Sequence, residues 1–294
     1  MRLAVWTSIL VELEPADAIR RLTAQGWDAL ELSTEHIVAV DEAPDPVAAA
    51  DEVREVVAAV DCAMPQVHLM ISANVATADA ESREGDLATV RRQIELSARM
   101  GIRHGVIHPG GDRPADFEGE LAERERRVAS FRELADHSAG FDFALAIENL
   151  TDRAHGDRSA VGRRRFGATI EELHTLIDAI DRPNVGICLD VGHAHVQGIE
   201  MAEAVRQCGE RLIATHIQDN DGTRDAHLAP TRGTIDWTAG IAALRETGYD
   251  GLFNLEIPGE RGLPPELTLK RLEGVLATAR WLLDHGQGGP EARP

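Results

Sequence analysis

Four side chains that can bind a metal each stand at the end of a short apolar run. Glu148 ends "FALAIE", Asp190 ends "VGICLD", His216 ends "RLIATH" and Glu256 ends "GLFNLE". The runs that carry the three carboxylates contain no Lys or Arg. An ionised carboxylate in a buried strand costs several kcal/mol unless it is paired or bound to a metal. We therefore predict a metal site at these four residues.

The donor set restricts the ion. Three carboxylates and one imidazole suit a borderline-hard divalent cation, so Mn²⁺, Mg²⁺, Co²⁺ and Zn²⁺ all remain open. The absence of thiolates argues against a structural zinc site.

Further imidazole and carboxylate groups follow the same apolar runs. The stretch "HIQDNDGTRDAH" (216–227) is densest in such groups, and its loop is predicted to be one sector of a ring of ligands. A lone histidine in a strand is more often a hydrogen-bonded core residue than a ligand. The additional candidates are His68, His108, His193, Asp225 and His227.

Eight short apolar runs alternate with eight stretches of helical period. Runs of four to eight residues flanked by Gly or Pro are typical of strands buried on both faces of a parallel sheet. The predicted strands are 2–6, 28–33, 65–71, 104–110, 143–150, 185–192, 211–217 and 251–257. The predicted helices are 15–26, 46–60, 82–100, 119–138, 169–180, 199–209, 237–247 and 265–285.

This alternation predicts an α/β fold, a single (β/α)₈ TIM barrel over residues 1–285, followed by a disordered tail at 286–294. A doubly wound open sheet would place a Gly-rich phosphate turn after the first strand, and "WTSILVELEP" contains none. Barrel active sites lie at the carboxyl ends of the strands. The candidate residues should therefore converge at the barrel mouth.

The composition excludes some partners. Lys and Arg number 30 against 50 Asp and Glu, which gives a formal charge of −20. A surface of that sign repels nucleic-acid backbones and anionic membranes. No apolar run is long enough for a membrane helix or a signal peptide. The three cysteines (Cys62, Cys188 and Cys208) are expected to be buried free thiols in a reducing cytosol, so we expect a cytoplasmic protein.

Four stretches carry a resemblance to a known family. "AIENL", "GICLDVGHAH", "THIQDNDGTRDAHLAPTRGTIDW" and "FNLEIPG" resemble the xylose isomerase-like barrel superfamily of sugar isomerases and epimerases, which also contains endonuclease IV. In its ketose 3-epimerases one Mn²⁺ or similar ion is held by residues that fall on Glu148, Asp190, His216 and Glu256. The resemblance implies Mn²⁺ as the first choice of ion, and it implies that His193 contacts the substrate.

The resemblance is incomplete in the loops. A further Glu that those epimerases carry after the fifth strand has no counterpart in "TDRAHGD". An Arg after the seventh-strand His is matched only loosely, by Arg224. The substrate could therefore differ from a simple ketose.

Endonuclease IV supplies the main alternative. All nine residue types that bind its three zinc ions have a counterpart here, with Asp225 and His227 as the possible second metal or substrate contact. Four ligands with one divalent ion carry one negative charge, which suits a neutral sugar, whereas nine ligands with three ions carry two positive charges, which suit a phosphodiester. The charge of −20 favours the sugar.

The expected reaction is removal of a proton next to a carbonyl. We predict that a metal ion stabilises an enediolate, with Glu148 and Glu256 as the two catalytic bases on opposite faces of the sugar. His193, His108, His68, Trp6 and Arg224 are the predicted substrate-binding residues. A lyase or dehydratase acting on a keto-sugar or keto-cyclitol begins with the same step and remains open. The expected partner is a small sugar or sugar derivative, and the chain could form a homo-oligomer.

Overall fold

A computed structural model of the protein describes residues 1–111, 116–152, 165–259 and 262–285. The predicted tail at 286–294 lies outside these residues. Eight strands form the sheet: β1 (Arg2–Trp6), β2 (Ala29–Leu32), β3 (Ala63–His68), β4 (His104–Ile107), β5 (Ala144–Glu148), β6 (Val185–Asp190), β7 (Leu212–His216) and β8 (Leu252–Leu255).

All paired strands run parallel, in the order β7-β6-β5-β4-β3-β2-β1-β8. The two outer strands meet through one bridge just beyond β7. The main-chain N–H of Ile217 donates to the carbonyl of Asn254 (2.8 Å), and the N–H of Glu256 donates to the carbonyl of Ile217 (3.0 Å). The sheet is thereby a nearly closed barrel, which confirms the predicted (β/α)₈ fold.

Helices surround the barrel. They are α1 (Pro15–Ala24), α2 (Thr34–Asp41), α3 (Pro46–Ala59), α4 (Ala80–Met100), α5 (Phe117–Ala139), α6 (Ile170–Ile180), α7 (Val191–Val196), α8 (Met201–Cys208), α9 (Trp237–Glu246) and α10 (Pro265–His285). Each of the eight predicted helices is present within about two residues of its predicted ends, which is the usual disagreement at frayed termini.

Two short helices were not predicted. Helix α2 follows β2 directly, and α7 begins inside the predicted sixth strand (185–192), of which it includes the last two residues. Helix α7 begins at Val191 because the side chain of Asp190 accepts a hydrogen bond from the main-chain N–H of His193 (2.7 Å). A side-chain cap of this kind starts a helix in place of further strand.

Local sequence signals determine one end of each of two helices, α6 and α4. At the start of α6, Thr169 and Glu172 form the predicted capping box, in which each side chain accepts from the main-chain N–H of the other residue. At the end of α4, Gly101 adopts φ +91°, a left-handed conformation that glycine reaches without strain. These ends determine where the chain turns back toward the barrel.

The core lies between sheet and helices and is filled by large buried side chains such as Trp27, Phe131 and Phe253. Cys188 and Cys208 are buried free thiols as predicted, whereas Cys62 is only partly buried. None of the helices in the described ranges has the length and apolar character needed to cross a bilayer.

Candidate functional site

The four predicted ligands lie at the carboxyl ends of neighbouring strands. Glu148, Asp190 and His216 are the last residues of β5, β6 and β7, and Glu256 follows β8 directly. Their side chains are at most 5 % exposed. Glu148 and Glu256 line a cavity of about 680 Å³ at this end of the barrel. The expected convergence at the barrel mouth is therefore present.

Glu148 is the centre of a group of imidazoles. Its Oε1 lies 2.8 Å from Nδ1 of His216, and its Oε2 lies 3.2 Å from Nε2 of His68 and 3.2 Å from Nε2 of His108. Within the part of the chain that the structure describes, this carboxylate contacts three imidazoles and no guanidinium or ammonium, an arrangement that suits a group of metal ligands.

Among the described residues, the possible ligand atoms form three groups, in each of which the atoms lie within 4.8 Å of one another. The groups are His68, Glu148, His216 and Glu256; Glu148, Asp190 and His193; and His193, Asp225 and His227. The four predicted ligands are thus divided between the first two groups, which share Glu148. His68, predicted as a substrate contact, lies among the possible ligands.

Two carboxylate oxygens in this site lack a hydrogen-bond partner. They are Oδ2 of Asp190 and Oε2 of Glu256, both fully shielded from solvent. The other oxygen of Asp190 is held by the cap of α7. Buried polar atoms are normally paired, and an orphaned one indicates a missing partner such as an ion. The two oxygens therefore fit a divalent cation. Glu148 belongs both to the ligand group of Asp190 and to that of Glu256.

The orientation of the imidazoles also fits a metal. Nδ1 of His68 donates to the carbonyl of Leu69 (2.8 Å), and Nδ1 of His193 donates to the carbonyl of Asn149 (2.9 Å). In each ring the other nitrogen, Nε2, faces a carboxylate of the site. Metal-binding histidines have this arrangement, in which the outer N–H is fixed and the inner nitrogen is free to bind.

The environment separates the pKa values of the two predicted catalytic carboxylates. Burial raises the pKa of Glu256 to about 8, against the opposing effect of His216 and His227. Burial also disfavours the charge of Glu148, but His216, His108 and His68 together hold its pKa well below the usual range. Paired carboxylates with opposite shifts are typical of acid–base sites.

Asp225 connects the β7 loop to the site. Its Oδ2 lies 3.1 Å from Nε2 of His193 and 3.2 Å from Nε2 of His227, and its Oδ1 accepts a hydrogen bond from Gln218 (2.6 Å). Although burial disfavours ionisation of Asp225, the two imidazoles lower its pKa. Burial also disfavours the charge of the partly buried His227, but its hydrogen bond to Asp225 helps to raise its pKa to about 10. The ligand group of His193, Asp225 and His227 borders the same cavity.

Asp219 does not join this ring, contrary to the prediction for the whole loop. Its Oδ1 accepts from the main-chain N–H groups of Asn220 and Ile235, and its Oδ2 accepts from the indole N–H of Trp237 (3.1 Å). Asp219 therefore anchors the loop to the start of α9, because its side chain turns toward that helix.

Several predicted substrate contacts line the cavity. His193, His108, Trp6 and Arg224 are all present in its wall, with Arg165 as a second guanidinium. The indole N–H of Trp6 donates to the carbonyl of Ile257 (2.8 Å), so Trp6 is both anchored in the core and available to the cavity. Arg153, Arg163, Arg164 and Arg261 lie outside the described residues.

A buried ion pair holds the loop that follows His108. Arg127 pairs with Glu123 on α5 and donates to the carbonyls of Pro109 and Gly110 (3.0 Å each). Its guanidinium lies 4.0 Å from the ring centroid of Phe166, which is next to Arg165. The two sides of the cavity wall formed by the β4 and β5 loops are therefore connected through Arg127.

Sequence reasoning missed Glu31. This carboxylate ends in the barrel interior beneath the site, fully buried, with Oε1 3.2 Å from Nε2 of His216. The signal was present, since Glu31 stands between Leu30 and Leu32 in an apolar run, as Glu148 and Glu256 do in theirs.

Comparisons with known proteins identify the family and the fold of this chain. A profile of the family described as "Xylose isomerase-like TIM barrel" matches residues 19–285. The solved structure of a "D-tagatose 3-epimerase-like protein" superposes with a TM-score of 0.78 over 97 % of this chain and 98 % of that one, at 21 % identity, which shows a common fold.

Three curated relatives have named activities. A "Probable endonuclease 4" of Methanoculleus marisnigri is 30 % identical over 67 % of this chain and 67 % of its own length. A "D-psicose 3-epimerase" of Enterocloster bolteae is 30 % identical over 49 % and 44 %, and an "Inosose isomerase" of Bacillus velezensis is 28 % identical over 63 % and 64 %. The chain also spans about three fifths of two uncharacterized relatives, 63 % and 60 % of their lengths.

Proposed function

Because this chain belongs to the xylose isomerase-like TIM barrel family, we propose that it is a divalent-metal-dependent sugar isomerase or epimerase. The reaction would remove and return a proton next to a carbonyl, through an enediolate. One observation carries the proposal: Asp190 and Glu256, each with a buried oxygen that has no hydrogen bond, both share a ligand group with Glu148, and Glu148 and Glu256 line a large cavity at the barrel mouth. Sugar isomerases and epimerases among the relatives support the substrate class.

The ion would be held by Glu148, Asp190, His216 and Glu256, and Mn²⁺ is the expected one. Three carboxylates and one imidazole form a donor set that this ion accepts. When bound, it supplies a positive charge that stabilises negative charge on the oxygen of the reacting carbonyl. His68 is the further imidazole that the structure adds to this neighbourhood.

Glu148 and Glu256 would exchange the proton. They belong to β5 and to the end of β8, three strands apart around the barrel, so they can approach a planar intermediate from different sides. If Oε2 of Glu256, which accepts no hydrogen bond, holds the ion, the other carboxylate oxygen, Oε1, is left to take a proton from a substrate carbon. Positioned acid–base catalysis of this kind contributes about 10²–10⁴-fold.

The other side chains of the cavity wall would bind the sugar. Nε2 of His193 can accept a hydrogen bond from a substrate hydroxyl, and Arg224 can reach a second polar group from the β7 loop. Trp6 presents an apolar surface to the carbon–hydrogen edge of the sugar. The same residues would serve a lyase or dehydratase acting on a keto-sugar or keto-cyclitol, because those reactions begin with the same proton removal.

A second candidate function is an endonuclease IV-like zinc phosphodiesterase. It is favoured by the third ligand group, His193, Asp225 and His227, and by the relative named "Probable endonuclease 4". The charge of the protein favours a sugar over a nucleic acid as the substrate. Proteins that grip a duplex neutralise about 6–10 phosphates, whereas the described part of the cavity wall contributes only Arg165 and Arg224 to a chain with a net charge of −20.

Metal removal followed by reconstitution tests the proposal. Purified protein should contain about one tightly bound divalent ion per chain by elemental analysis. After removal of that ion by a chelator, conversion of at least one member of a panel of ketoses, aldoses, their phosphates and keto-cyclitols should be lost and should return with Mn²⁺, Co²⁺ or Zn²⁺.

Two outcomes would contradict it. Conversion that continues undiminished in the metal-free protein would remove the metal from the reaction. Three tightly bound zinc ions per chain, with no sugar converted, would favour the phosphodiesterase.

A further inference from the structure

Three polar side chains form a network inside the barrel, beneath the candidate metal site. They are Glu31 on β2, Gln66 on β3 and Asn254 on β8, and each is at most 1 % exposed. Glu31 is paired in register with Gln66 across the sheet. Polar groups in a barrel interior are unusual because burying them costs free energy unless every group finds a partner.

Glu31 is the acceptor at the centre of this network. Its Oε1 accepts from the side-chain amide of Gln66 (3.0 Å) and lies 3.2 Å from Nε2 of His216, and its Oε2 accepts from the amide of Asn254. A carboxylate that accepts from two side-chain amides keeps further acceptor capacity, which an N–H of His216 can use. Among the described residues, His216 is the only ion-pair partner of Glu31.

His216 connects this network to the site above it. One ring nitrogen, Nε2, faces Glu31, while the other, Nδ1, lies 2.8 Å from Oε1 of Glu148 and 3.4 Å from Oε2 of Glu256. A proton on Nε2 that is donated to Glu31 leaves Nδ1 with its lone pair directed at the ligand group.

We propose that Glu31 is a positioning residue for the metal centre, which holds His216 in the tautomer and orientation that present Nδ1 to a divalent cation. The inference rests on the proposed metal-dependent function. Gln66 and Asn254 hold the Glu31 carboxylate in place. Side chains from β2, β3 and β8 therefore together orient the imidazole of His216.

Other histidines in the site differ in their outer partner. The outer nitrogens of His68, His193 and His227 donate to main-chain carbonyls of Leu69, Asn149 and Glu256. The partner of His216 is a carboxylate. A hydrogen bond to an ionised acceptor is roughly twice as strong as one between neutral groups, and it makes the opposite nitrogen a better metal ligand. Of these four imidazoles, His216 therefore has the outer hydrogen bond that most favours metal binding.

The test is the Glu31→Gln variant. A glutamine has the same size but only one acceptor oxygen and an added NH₂ group, so the donors of Gln66, Asn254 and His216 can no longer all be satisfied. We expect affinity for Mn²⁺ or Zn²⁺, measured by competition with a chromophoric chelator, to fall by about 10–100-fold. Asp41→Asn is the matched control, because Asp41 is a buried carboxylate paired with Arg92 outside the network, and its affinity should stay at the wild-type value.

A spectroscopic measurement separates positioning from general destabilisation. In the Zn²⁺-loaded wild-type protein, ¹H–¹⁵N correlation of the imidazoles should show His216 with a protonated Nε2 and a metal-bound Nδ1, assigned by comparison with His216→Gln. The Glu31→Gln variant should lose that pattern while its circular dichroism spectrum stays native. The wild-type spectrum decides the proposal even if the variant does not fold.

Metal binding through Nε2 of His216 in the wild-type protein would overturn the proposal. So would unchanged metal affinity and an unchanged His216 spectrum in a folded Glu31→Gln variant. These outcomes differ from failure of the proposed function, which would appear as wild-type protein that binds metal but converts no sugar.

Discussion

Glu256→Gln is expected to reduce turnover of the sugar substrate by at least about a hundredfold, and Glu148→Gln should do the same. Each change removes a group that can exchange a proton and also weakens a metal ligand. A hundredfold loss corresponds to about 2.7 kcal/mol in the barrier. The measurement is kcat and KM of each variant at saturating Mn²⁺, which offsets the weaker binding of the ion.

A surface glutamate supplies the control for this pair. Glu266→Gln alters an exposed carboxylate on α10 that pairs with the half-exposed Arg21, and it should retain wild-type turnover. If either Glu256→Gln or Glu148→Gln also kept a rate close to that of the wild type, the scheme with two catalytic carboxylates would be refuted.

His216→Ala is expected to lose the tightly bound ion, with an affinity at least about a hundredfold below that of the wild type. The side chain is fully buried, and His216 is one of the four residues of the first ligand group. Without it a cavity replaces the imidazole, and Glu148 loses a partner at 2.8 Å. Elemental analysis after dialysis, followed by chelator competition, measures the loss of the ion.

His193→Ala is the contrasting variant. If His193 orients the substrate, this protein should keep the first ion and show only a moderate rise in KM or fall in kcat. The structure makes the comparison decisive, because His193 also belongs to a ligand group with Glu148 and Asp190. Loss of the ion from His193→Ala would make His193 a primary ligand and would contradict the assignment to His216 and its three carboxylates.

The barrel could be predicted because its signals are local. Apolar runs such as 143–148 and 185–190 are buried on both faces of the sheet, so their composition alone reveals them. Helix ends such as the Thr169 capping box depend on residues three apart. Since parallel strands present their carboxyl ends at one edge of the sheet, the sequence alone predicts that Glu148 and Glu256 lie at the same end of the barrel.

What could not be predicted depends on side-chain direction. Asp219 and Asp225 stand six residues apart in one loop, yet only Asp225 faces the cavity, because Asp219 accepts from Trp237. Asp190 both caps α7 and leaves one oxygen without a partner, a double role that no spacing reveals. Glu31 and His216 are 185 residues apart in the sequence, and closure of the barrel brings them into contact.

Deuterium entry at carbon tests the central claim most directly. The enzyme, with Mn²⁺, is incubated in D₂O with the panel of ketoses, aldoses, their phosphates and keto-cyclitols, and the sugars are followed by NMR, with an abasic-site duplex assayed in parallel. We predict that at least one keto-sugar gains deuterium next to its carbonyl, that the Glu256→Gln variant slows this exchange, and that the duplex stays intact, because a base that exchanges its proton with solvent labels that carbon. Cleavage of the duplex, with no exchange or conversion of any sugar, would contradict the account.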